Sequence, residues 1–150
     1  MPSHTSPALP VSAVSAVRGA RPELRRQVLA VRRWALARGL HCEADAVTVV
    51  AGVCLGQPAE WSEQRVEQFL WVDVLHWCRT QGLAVPRGVP RALWLWLEHG
   101  TELGQIEPGP SGLAGLVGII ASNTTAPAIR PRRPTRGRSA SVSSVRVPAV

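Results

Sequence analysis

The chain has 150 residues, one domain's worth, and its 17 basic residues against 10 acidic ones give a net charge of +7. It has no Lys and no Tyr, and Met1 and Asn123 are the only residues of their kinds, a profile that GC-rich codons produce. All-Arg basicity is therefore not evidence of phosphate recognition here, although Arg is the better bidentate donor.

The charge belongs to regions. From Arg21 to Glu107 there are ten Arg and ten acids, so the excess comes from Arg18 and the six Arg after residue 108. Inside the neutral segment, residues 21–39 carry six Arg and one Glu, while residues 40–107 carry four Arg and nine acids. A basic first element beside an acidic remainder either pairs with it or meets an outside partner.

Residues 1–20 are Ser, Pro, Ala and Val without periodicity and are expected to form a disordered lead. With no Lys or Arg before Arg18, a secretory signal is not expected. The first helix is expected over about 22–38, with Pro22 at its first position and Gly39 past its end. Leu24, Val28, Val31 and Ala35 share one face at i, i+4, i+7 and i+11, and Arg25, Arg26, Arg32 and Arg33 form a basic back.

The second helix is expected over about 44–55. Its run Val47-Thr48-Val49-Val50 would also suit a strand, but no other stretch offers a pairing partner. Gly56 and Pro58 end it. The third helix, about 62–81, starts at Ser62 as N-cap and stops at Gly82. Val66, Leu70, Val74, Trp77 and Cys78 define its main face, Trp71 and Leu75 lie round from that face, and Phe69 and Val72 fall among polar positions. A helix so widely apolar is expected to be central. After the stiff link LAVPRGVP, the fourth helix is expected over about 90–99, either ended by Gly100 or carried a further turn by Thr101 to Ile106.

Pro108-Gly109-Pro110 reads as a boundary, so the helical domain is placed at 21–107. Residues 108–122 form a weak apolar segment that either docks as a short piece or does not fold, because glycines at 112, 115 and 118 each cost a helix roughly 1 kcal/mol. Residues 123–150 read as a disordered basic tail. The expected fold class is all-α: a small four-helix bundle with a disordered N-terminal lead and a basic C-terminal tail.

Candidate chemistry is sparse. Residues 61–99 hold five of the six Trp and the only Phe, but this block is acidic, which suits core packing better than base stacking. His41, Cys42, Cys54, His76 and Cys78 lack paired metal-ligand spacing, and His76 and Cys78 diverge by about 200° on a helix. Asp73 and His76 can face each other at i, i+3, yet no Ser or Cys sits in a nucleophile context. A helix-turn-helix reading of the second and third helices fails on the long QPAEW link and on Glu63 and Glu67 where DNA contacts belong. The odd number of cysteines, each in or beside an apolar run, suits reduced thiols.

The expectation is thus a small non-enzymatic helical protein, cytoplasmic and not membrane-bound. It uses no metal or cofactor and acts through contacts with an unidentified protein partner. The expected partner surface is Trp71, Trp94 and Leu95. The alternative is an accessory binder of nucleic acid without sequence preference. It would use Arg25, Arg26, Arg32 and Arg33 with the tail residues Arg130, Arg132, Arg133, Arg136 and Arg138.

Overall fold

The structure is a computed structural model and describes residues 22–125. It is all-α, with five helices. They are α1 (Pro22–Ala37), α2 (Ala44–Cys54), α3 (residues 63–80), α4 (Val89–Glu102) and α5 (Gly112–Thr125). The expected lead and the Arg-rich part of the tail lie outside the described residues. No described helix is long and apolar enough to cross a membrane.

On α1, the side chains buried are the four that share its apolar face, Leu24, Val28, Val31 and Ala35. Gly39, at φ +68°, ends it. The Leu40 N–H reaches the Ala35 carbonyl and the Gly39 N–H reaches Leu36, so the last turn's orphan carbonyls are satisfied in a left-handed cap. Gly82 closes α3 with the same pair of bonds.

The central helix is α2, not α3 as the sequence suggests. Ala46 to Ala51 are all buried, along with Val53. It packs against α1, α4 and the second half of α3. The β-branched run is helical because burial on every side outweighs its modest helix penalty. Thr48, the one polar residue within it, donates its hydroxyl to the Ala44 carbonyl at 2.8 Å. Trp77 of α3 lies close against Gly52, where any Cβ would fall inside contact distance of the indole.

Two further expectations are corrected. Of the two ends expected for α4, Gly100 is not the one found; it is buried within the helix against Ile106, and α4 runs on to Glu102. Nor is Pro108 a domain edge. Strand β1 (Glu60–Trp61) pairs in parallel with β2 (Glu107–Pro108), with Glu107 N–H bonded to the Ala59 carbonyl and Gly109 N–H to that of Trp61. This two-residue bridge returns the chain to the domain and starts α5 beside it.

Most of the segment from 108 to 122, from Gly112 onward, therefore belongs to a fifth helix, which makes the bundle five-helical. α5 lies against α4 and the first half of α3, burying Leu116 and Ile120. Its glycines make it weak in isolation, but tertiary burial supplies the stability that propensity does not. At its last turn, Ser122, Asn123 and Thr124 donate side-chain bonds to the carbonyls of Gly118, Ile119 and Ile120.

Candidate docking surface

The helix α3 is interrupted. Glu63–Gln68 is α-helical, Phe69–Asp73 is a π-helical turn, and Val74–Thr80 is α-helical again. Within the turn the Val74 N–H bonds to the Phe69 carbonyl, five residues back. Such a turn carries one more residue than an α-turn, and it often marks a functional site. The buried positions show the extra residue directly: Val66, Phe69, Val74 and Cys78 face the core at spacings of three, five and four.

This corrects the sequence reading of α3. A uniform 3.6 period puts Leu70 on the main face and Phe69 among polar positions. In the structure Phe69 is buried against Trp61, with ring centroids 5.6 Å apart, and Leu70 is only half-buried. Trp71, Val72 and Leu75 turn outward.

Those three side chains are 57%, 51% and 45% exposed. They adjoin one another on one helix face, since Trp71 and Leu75 are four apart and Val72 and Leu75 three. The other exposed large apolar residues are scattered. Leu29 and Leu36 on α1 are seven apart with Arg32 and Arg33 between them, and Val85 and Leu103 lie on separate loops. Singly exposed apolar side chains are ordinary, whereas a contiguous group indicates contact with another surface.

The Trp71 ring is held. Its Nε1–H donates to the Asn123 Oδ1 of α5 at 2.6 Å, and Asn123 Nδ2 donates to the Ile119 carbonyl at 2.8 Å. The indole's polar group is thereby satisfied inside the molecule and its apolar ring is left outward, the state of a pre-organised anchor. Around the apolar group stand Glu67, Gln68, His76 and Arg79, all exposed, which form a polar rim.

Comparison with protein-family models, curated proteins and solved structures finds no match for this chain.

Of the three residues expected to form the partner surface, only Trp71 is well exposed. Leu95 is fully buried and is withdrawn from that surface: on α4 its side chain faces the core together with Leu93 and Leu97. Trp94 is half-buried against the core, with the Arg91 guanidinium 5.5 Å from its ring centroid. Sequence reading missed Val72 and Leu75. The available signal was their apolar character at positions an unbroken α-helix assigns to solvent.

Arg25, Arg26, Arg32 and Arg33 are exposed on the back of α1. Arg26 pairs with Glu23 at 3.4 Å. Arg38 reaches α4, where Glu102 accepts from its Nη2 at 2.6 Å and from Trp34 Nε1 at 2.7 Å. The basic first element thus meets the acidic remainder at Glu102. Arg130, Arg132, Arg133, Arg136 and Arg138 lie outside the described residues.

A cleft of about 470 Å³ opens between α1, the link after α2 and the end of α4, with Arg26, Cys54, Trp61, Arg65, Trp96 and His99 among its lining. Several of its polar groups are already engaged. Arg65 donates to the Pro58 and Glu60 carbonyls and stacks 4.1 Å over Trp61. His99 sits edge-on to Trp34 at 5.3 Å, and burial lowers its pKa below the ordinary 6.5. Burial pushes the Cys54 thiol up to about 12, against the opposing effect of Arg65, which leaves a poor nucleophile. No hydrogen bond joins Asp73 to His76 among the described residues, and no group of three or more His, Cys, Asp or Glu there could hold a metal ion.

Proposed function

We propose that this chain is a non-enzymatic helical protein that acts by docking another polypeptide on the outer face of α3. The observation that carries this reading is the contiguous exposure of Trp71, Val72 and Leu75 at a π-helical turn, with the indole N–H already satisfied by Asn123. An aromatic anchor fixed before binding lowers the ordering cost of association. Three free thiols, with Cys78 buried, support a reducing, cytoplasmic setting for it.

The test is photo-crosslinking in living cells. A photoreactive amino acid in place of Leu75 should yield polypeptide adducts. The same group in place of Leu36, which is 77% exposed on α1, should not. Equal yields from the two positions, or none from position 75, would contradict the reading.

The second reading, nucleic-acid binding by α1, is supported by the exposure of Arg25, Arg26, Arg32 and Arg33 on one helix. Phosphate contacts give salt-dependent binding. Measured DNA affinity that stays constant between low and physiological salt would sink this alternative.

A further inference from the structure

We infer that the polypeptide docked on α3 is a second copy of this chain, packed antiparallel across a two-fold axis near Asp73; this rests on the docking reading above.

The argument is the order of side chains along the exposed face. Glu67, Trp71, Leu75 and Arg79 follow one another at intervals of four, and all four are exposed. The π-helical turn winds the chain more slowly than an α-helix. Residues four apart therefore stay closer to a line along the axis through this segment. The row reads acid, apolar, apolar, base.

Such a row is complementary to its own reverse. A two-fold axis at its midpoint, residue 73, sets Glu67 opposite Arg79 of the second copy and Trp71 opposite Leu75. Each contact then occurs twice. This is the pairing that an isologous interface requires. The ends of the row are about 18 Å apart at the usual helical rise, so both charges lie outside the apolar centre and stay at the wet rim. Antiparallel helices also set opposite dipole ends side by side.

The charged side chains are available for this contact. No hydrogen bond or ion pair engages the side chain of Glu67 or Arg79 among the described residues. Val72 lies beside the row and widens its apolar centre. The charge order also discriminates against a parallel arrangement, which would put Glu67 against Glu67 and Arg79 against Arg79.

Sedimentation equilibrium on the purified full chain tests this. The chain should be dimeric at about 100 μM, which corresponds to a modest association constant. Glu67→Arg and Arg79→Glu should each weaken the dimer roughly tenfold, because each places two like-charge contacts across the axis. The double variant Glu67→Arg with Arg79→Glu restores opposite charges and should regain the dimer. Both residues are exposed, so thermal melts of the variants should match the parent's at dilutions where all are monomeric.

A chain that stays monomeric overturns the inference, as does a dimer indifferent to the single charge reversals. The mass of the adduct from position 75 then separates the two readings. An adduct with a different polypeptide leaves the docking surface standing without self-association, and the absence of any adduct removes both.

Discussion

The Trp71 indole N–H donates to the Asn123 side chain at 2.6 Å, and the bond ties the exposed turn of α3 to the last helix of the domain. It joins residues 52 positions apart. It also explains how a half-exposed aromatic can keep one orientation. Replacing Asn123 with Ala removes the acceptor and the amide's own bond to Ile119. The expected cost is about 1 kcal/mol, read from urea denaturation, since the freed indole N–H can turn to water. Asn123→Ala should also loosen any complex made through Trp71 without abolishing it.

Gly52 carries a sharper prediction. Its Cα faces the Trp77 indole so closely that a Cβ would fall inside contact distance of several ring atoms. Gly52→Ala should destabilise by about 1–3 kcal/mol, as overpacked cores do, although Ala is the better helix former. A variant as stable as the parent would mean that α2 and α3 can separate at little cost.

The Trp34–Glu102–Arg38 group closes α1 onto α4. Glu102 accepts from both partners, and Arg38 also lies 4.3 Å from the Trp34 ring centroid. Arg38 and Glu102 are about half exposed, so solvent and salt screen their attraction. Glu102→Gln is expected to cost roughly 0.5–1 kcal/mol at low salt, and less at high salt. Equal effects at both salt concentrations would show that the cost comes from the neutral hydrogen bond to Trp34.

His99 gives a pH dependence. Burial lowers its pKa in the folded chain; Glu102 partly opposes this and Arg38 adds to it. The unfolded chain therefore takes up a proton at higher pH than the folded one. Stability from this residue is present above the ordinary value of 6.5 and is lost as pH falls below it toward the folded pKa. Urea midpoints should decline from neutral to mildly acid pH, and His99→Gln should flatten that decline. An unchanged slope in the variant would assign the effect to another group.

Much of this fold was legible in the residues. The face of α1 is repeated by its four buried side chains, and Gly39 and Gly82 end their helices as their positions suggest. Two things were hidden. One was α5, because Gly115 and Gly118 weaken it locally and only the shape of its neighbours shows what Leu116 and Ile120 bury. The other was the π-helical turn, because one inserted residue rotates everything after it and no single residue type announces the change. Leu95 illustrates the consequence for site prediction. Period alone set it away from the main face of α4, yet α4 is packed by α1, α2 and α5 and Leu95 is fully buried.

The most direct measurement of the central claim is the sedimentation of the purified chain beside its Leu75→Arg variant. Leu75 is half exposed, so the substitution leaves the fold intact and alters only the α3 face. The account predicts a dimer for the parent and a monomer for the variant, with matching thermal melts at dilutions where the parent is itself monomeric. Identical sedimentation of the two proteins would contradict it.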